Sequence, residues 1–141
     1  MSDRHDLQRF VSAQETVWQQ VIAELRSGHK RTHWMWFVFP QLQGLGHSAM
    51  ARRYAISGLD EATVYLEHEL LGSRLKTCCE IVNSLEGASV AQVFGHPDDL
   101  KFHSSMTLFA HVAGEQSPYQ AALIKYFNGQ EDAQTLRLLK Q

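Results

Sequence analysis

Between Trp34 and Phe39 the chain carries an uninterrupted apolar run, Trp34-Met35-Trp36-Phe37-Val38-Phe39, bounded by His33 on one side and Pro40-Gln41 on the other. Such a run has no polar face, whether it coils or extends, so other elements must enclose it. That requirement constrains the fold more than any other feature of the sequence. The run does not itself declare helix or strand. Its aromatic and β-branched residues favour a strand, whereas the helical patterns on both sides favour a helix. Pro40 disfavours helical geometry at Phe39 and ends any helix there.

The flanking segments read as helices. From Asp6 to Ser27, the residues Leu7, Phe10, Val11, Gln14, Val17, Trp18, Val21 and Leu25 recur at three- and four-residue steps. This is the stripe of one amphipathic helix. Gly28 stops it, with Arg26, Lys30 and Arg31 near the negative end of its dipole. A loop follows from Gln41 to Gly46, whose two glycines can take positive φ. Ser48 is placed to cap a short helix through Tyr54, and Ser57 or Asp60 to cap the next, with Ala62, Leu66 and Leu70 on one face. Leu71 to Leu85 predicts another helix, and Ser89 opens a short segment that closes at Gly95. Pro97 suits a first helical position ahead of Asp98 and Asp99, in a helix that stops at Gly114. Ser117-Pro118 leads a helix to Asn128-Gly129, and Asp132 caps a last one from Ala133 to Lys140.

These signals predict an all-α fold of about seven helices around the aromatic segment. With 141 residues and no repeat or linker, the chain is expected to form a single domain over 1–141, with an ordered core over 6–139.

Composition excludes several classes. Lys and Arg number 13 against 15 Asp and Glu, which argues against a general nucleic-acid binder. Such binding would need Lys30, Arg31, Arg52 and Arg53 to converge on one face. No stretch approaches the ~18 apolar residues of a transmembrane helix, and Met1 to Arg9 lacks the apolar centre of a signal peptide. Cys78 and Cys79 are adjacent and read as reduced thiols, at least one of them in the core, so a cytoplasmic location is expected.

Three segments could carry chemistry. In the first, His33 and Gln41 flank the aromatic block, and the rings could form a slot for a flat group such as a nucleobase. The plainer reading is that the aromatics are core. The second is Lys101-Phe102-His103-Ser104-Ser105 on a predicted helix. Lys101 with Ser104 and Ser105 could hold a phosphate or carboxylate, or form a Ser–Lys dyad. Its plainer reading packs the serines against a neighbour and pairs Lys101 with Asp98. The third is the Gly44-Leu45-Gly46-His47-Ser48 turn ahead of Arg52 and Arg53, which does not complete a phosphate-binding fingerprint and more simply serves turn geometry. The eight histidines are scattered without metal-ligand spacing, so no metal site is expected and no cofactor is named.

The resulting expectation is a pocket between residues 33–41 and the helix carrying Lys101. Trp36, Gln41, Lys101, Ser104 and Ser105 would contact a nucleotide-like or other small anionic metabolite. If a reaction occurs there, His33, Lys101 and Ser105 are the candidate catalytic groups, and hydrolysis or group transfer is the least demanding chemistry. The alternative is a non-enzymatic interaction module that binds a protein partner or a second copy of the chain. A solvent-reaching cleft lined by His33, Trp36 and Lys101 would favour the first reading.

The stretch from His33 to Gln41, followed by Gly44-Leu45-Gly46-His47-Ser48, resembles the signature of a bacterial domain-of-unknown-function family numbered eighteen-ten. Tyr54-Ala55-Ile56, Glu61-Ala62, Tyr65-Leu66, Leu71-Gly72, Arg74-Leu75 and Lys101-Phe102 agree with it. So do Ser104 to Phe109, and Asp132 with Thr135. The resemblance extends from about Leu7 to Leu136. It implies a small, mainly helical domain and carries no established activity.

Overall fold

The structure is a computed structural model that describes residues 3–140. The helices are α1 (Gln8–Glu15), α2 (Trp18–Ser27), α3 (Met35–Val38), α4 (Ala49–Arg53) and α5 (Leu59–Glu67). They continue with α6 (Glu69–Ser84), α7 (Val90–Phe94), α8 (Asp98–Ala113), α9 (Pro118–Phe127) and α10 (Ala133–Leu139). The class is all-α. The one β-type pairing among the described residues is an isolated parallel bridge between Leu42 and Ile56. Among those residues no helix is long and apolar enough to cross a membrane.

Among the described residues there are ten helices rather than seven, and the first extra break falls inside the stripe from Asp6 to Ser27. It occurs at Thr16-Val17, adjacent β-branched residues that lose rotamer freedom in a helix. Val17 lies outside helical geometry, at φ −120° and ψ 0°. The break lets α1 bury Phe10 and Gln14 toward α3 and α6, while α2 turns Val21, Glu24 and Leu25 toward α6. A second correction concerns α5. Neither Ser57 nor Asp60 caps it; Gly58 precedes it without a side-chain cap, and Glu61 Oε1 accepts from the Ser57 N–H at 2.9 Å. His68 then separates α5 from α6 and caps α6, its Nδ1 accepting from the Leu70 and Leu71 amides. Gly72 permits that tight junction, because a Cβ there would lie 2.1 Å from the Leu66 carbonyl oxygen.

Helix α8 carries the longest buried run of the described residues. Every residue from Ser104 to Ala110 is buried, as expected of a helix without a solvated face. Its hydroxyls are largely satisfied locally: Ser104 Oγ bonds the Leu100 carbonyl, and Thr107 Oγ1 donates to the His103 carbonyl and accepts from the Asp132 amide. α5, α7, α9 and α10 pack around it, and α6 packs against α2, α5 and α9. The aromatic segment supplies one wall of this core rather than its centre. Phe39 meets Phe102 and Phe94 edge-on at 5.1 and 5.7 Å, and Phe94 stacks on Phe102 at 4.6 Å.

The aromatic segment forms a single helical turn, α3, followed by a bend at Phe39 and non-helical chain at Pro40. Met35, Phe37 and Val38 face inward, and Trp36 is left half-buried. Polar side chains hold both ends of the turn. At its exit, Gln14 Nε2 donates to the Phe37 carbonyl at 2.7 Å. At its entry, the buried carboxylate of Glu24 accepts from the Trp34 indole Nε1 at 2.9 Å. The same carboxylate accepts from the Arg31 and Thr32 amides at 2.8 and 3.1 Å, and from Thr32 Oγ1 and Gln20 Nε2 at 2.7 Å each.

Burial by itself pushes the Glu24 carboxyl upward. The hydrogen bonds from the Arg31 amide, Gln20 and Thr32 outweigh it and lower the group from 4.5 to about 2. A depressed folded-state value means that the stabilisation is complete above about pH 4.5 and is lost as the pH falls toward 2. Glu24→Gln is therefore expected to cost about 2–4 kcal/mol at pH 7, with a smaller deficit at pH 3. Guanidinium unfolding of both chains at the two pH values checks this, and an equal deficit at both would contradict it.

Candidate functional site

Two cavities meet at the exposed face of α3. The first, of about 420 Å³, is walled by Trp36, Gln41, His47 and Ser48 on one side and by Leu100, Lys101, Ser104 and Asp132 on the other. The second, of about 300 Å³, is walled by Lys30, His33, Trp36, His96, Asp98 and Lys101. Trp36, Pro97 and Lys101 belong to both walls. A larger hollow of about 680 Å³ lies between residues 57–60 and the end of α10; His5 lines it, but no Trp, Tyr, Phe, Lys or Arg side chain does.

The geometry follows from local sequence. α3 steps about 100° per residue, so a turn that buries Met35, Phe37 and Val38 leaves Trp36 on the outer wall. Lys101 stands on the first turns of α8 facing it, with Nζ 4.6 Å from the Trp36 ring centroid. Asp98, one turn earlier, takes Lys101 Nζ on Oδ1 at 3.3 Å and Lys30 Nζ on Oδ2 at 2.8 Å. Lys30 also donates to the Thr32 carbonyl and lies over the Trp34 ring at 5.0 Å. Two ammonium groups share one carboxylate, so this cluster keeps an excess of one positive charge at the junction of the cavities.

The first cavity also has a polar floor. Asp132 caps α10, and its Oδ2 accepts from the Thr135 amide at 2.9 Å and from Thr135 Oγ1 at 2.7 Å, with Ser104 Oγ at 3.3 Å. Ser48 caps α4 by accepting from the Ala51 amide at 3.1 Å. In the turn before it, Gly44 takes φ +103°, whereas Gly46 does not adopt positive φ. Gly46 is required by space instead, since a Cβ would come within 2.6 Å of the Ala51 Cβ.

The structure brings Trp36, Gln41, Lys101 and Ser104 onto one cavity wall and places His33 on the wall of the other. Ser105 is placed elsewhere. It is fully buried in α8, lines neither cavity, and its hydroxyl has no hydrogen-bond partner. Adjacent helical residues diverge by about 100°, and tertiary packing selects Ser104 as the outward one. Lys101 is held by Asp98, and among the described residues no hydrogen bond joins it to Ser104 or Ser105, so the Ser–Lys dyad is not formed.

Asp132, His47, His96, Lys30 and Leu100 also line the site. Leu100 is 54% exposed at its lip. Asp132 and Lys30 read in the sequence as residues near helix ends, and Asp98 as a first-turn carboxylate and a partner for Lys101. Their meeting depends on helix packing.

Other candidate groups are occupied elsewhere. His103 stacks on Phe127 at 3.9 Å, and His111 Nε2 contacts Glu131 at 2.5 Å. No group of three or more metal-ligating side chains converges among the described residues. Both cysteines are free and buried, and burial pushes the Cys78 thiol up to about 12 and Cys79 in the same direction.

Residues 4–139 match the family model described as a protein of unknown function, DUF1810. The chain belongs to the DUF1810 family. A solved relative shows how closely this fold is shared: the crystal structure of the conserved hypothetical protein Rv1873 from Mycobacterium tuberculosis. It is 54% identical, with 99% of each chain covered and a TM-score of 0.96. Comparison with the curated proteins gives no match. For this DUF1810 chain, the burial of Ser105 carries a direct consequence. Removing an unpartnered buried hydroxyl deletes no bond, so Ser105→Ala is expected to leave stability within about 1 kcal/mol or raise it. Chemical denaturation checks this, and a loss above about 2 kcal/mol would show that the hydroxyl has a partner.

Proposed function

We propose that this chain binds a nucleotide-like or other small anionic molecule that carries a flat ring. The ring lies on Trp36 in the larger cavity, and the negative charge is drawn to Lys101. The observation that carries this reading is the half-buried Trp36 with an ammonium group 4.6 Å from its ring, at the meeting of two cavities. Fully burying a side chain of this kind is worth about 1.5–3 kcal/mol, and the other three residues of α3 are buried. Leaving the largest ring of the turn on a cavity wall gives up part of that gain and retains a stacking surface.

The remaining wall supplies the polar groups that orient a ligand. Gln41 and Gln134 offer amide donors and acceptors, and Asp132 offers an acceptor at the far side. A volume of about 420 Å³ falls in the range of small-molecule sites. A solvent-reaching cavity lined by His33, Trp36 and Lys101 was the feature that separates ligand binding from an interaction module, and it supports the first. For nucleic acid, Lys30 would have to lie on an exposed basic face. Its side chain is only 6% exposed and paired with Asp98.

Thermal unfolding against a panel of nucleosides, nucleotides and other flat anionic metabolites tests the reading. A ligand at ~100 times its Kd adds about 2.7 kcal/mol. Lys101→Ala is expected to abolish that shift and to leave the ligand-free stability within about 1 kcal/mol. An unchanged shift in the folded variant would remove Lys101 from the site.

A further inference from the structure

We infer that the smaller cavity is a phosphoryl subsite, so the ligand is a ring joined to a phosphate or diphosphate and spans both cavities across Trp36 and Lys101. This builds on the proposed ring site for one half of the ligand. The phosphoryl half rests on separate residues.

Four nitrogen-bearing side chains, Lys30, His33, His96 and Lys101, line about 300 Å³ of space together with one carboxylate, Asp98. Both Asp98 oxygens already receive an ammonium group, so the carboxylate's charge is offset where an anion would approach. Half of the ammonium donors remain open. An ammonium has three N–H groups; Lys30 uses two, on Asp98 and Thr32, and Lys101 uses one, on Asp98. His96 engages Asp99 through Nδ1 at 3.1 Å; a neutral ring donating there presents Nε2 as an acceptor, and an imidazolium presents it as a second donor. His33 is exposed on the cavity rim.

Donors approaching from several directions suit the terminal oxygens of a tetrahedral phosphoryl group better than the two coplanar oxygens of a carboxylate. Lys30 lies in a wall almost closed to water, where a charge interaction is less screened than at an open surface. The shared wall of Trp36, Pro97 and Lys101 sets the linkage. A ring stacked on Trp36 in the larger cavity points its substituent past Lys101 into the smaller one.

The test measures binding to the full chain by calorimetry, with adenosine, guanosine, their 5′-diphosphates and inorganic pyrophosphate as probes. At least one diphosphate is expected to bind about tenfold or more tightly than its nucleoside. The double variant His33→Ala/His96→Ala alters only exposed side chains, and unfolding confirms that it is intact. It is expected to weaken the diphosphate about tenfold and to leave the nucleoside unchanged. Equal affinity for nucleoside and diphosphate, unaffected by the double variant, would overturn the phosphoryl subsite and leave the ring site standing. Pyrophosphate binding that the double variant weakens, with no nucleoside binding, would support the subsite and overturn the ring site. No binding of any probe would overturn both.

Discussion

The structure depends on one buried carboxylate. Removing a charged Glu24 side chain from water is unfavourable unless its lone pairs are satisfied. Here five donors from Gln20, Arg31, Thr32 and Trp34 surround it. Those donors lie on both sides of the turn at Gly28, where φ +74° ends α2. The carboxylate therefore ties the end of α2 to the start of the apolar run. Its bond to the Trp34 indole fixes the angle at which that run enters the core. Gln14 then donates to the Phe37 carbonyl at the other end of α3. A single helical turn is too short to hold itself, and these two side chains, from α1 and α2, hold it in place.

The candidate site follows from that arrangement. With Trp34 pinned inward, the turn places Met35, Phe37 and Val38 in the core and Trp36 outside it. α8 must lie alongside, because Phe102 packs edge-on against Phe39. Residues one position or one turn from Phe102, namely Lys101 and Asp98, therefore stand next to α3. Lys30 reaches the same carboxylate from the segment anchored by Glu24. The positive excess beside Trp36 is thus a product of the same packing that closes the core.

Much of the fold was legible in the sequence because helix starts are local chemistry. Ser48, Ser89, Ser117 and Asp132 each cap the helix expected of them, and each accepts from the amide three residues on. The break at Thr16-Val17 was not legible, since apolar spacing continues across it. The cap at His68 was not legible either, because imidazole is not an ordinary capping group. At the site, Trp36, Gln41, Lys101 and Ser104 could be named from residue type and spacing. Ser105 could not be told from Ser104, because only the packed neighbours of α8 decide which of two adjacent serines faces outward. Lys30 and Asp98 read as charges near helix ends, with Asp98 a partner for Lys101, and Glu24 carries no sequence signal of its own. Their roles require partners 7 to 10 residues away for Glu24 and, for Lys30 and Asp98, a contact between the segment after α2 and the first turn of α8.

The central claim is that Glu24 holds Trp34 inside while Trp36 is left available to a ligand. The most direct measurement follows the indole N–H resonances of Trp18, Trp34 and Trp36 by NMR, first for hydrogen exchange and then during titration with adenosine and guanosine diphosphates. The account predicts that the Trp34 N–H exchanges slowly and loses that protection in Glu24→Gln. It also predicts that the Trp36 N–H exchanges fast and is the indole resonance that moves on titration. A rapidly exchanging Trp34 N–H in the native chain, or a titration that moves Trp34 and leaves Trp36 unchanged, would contradict it.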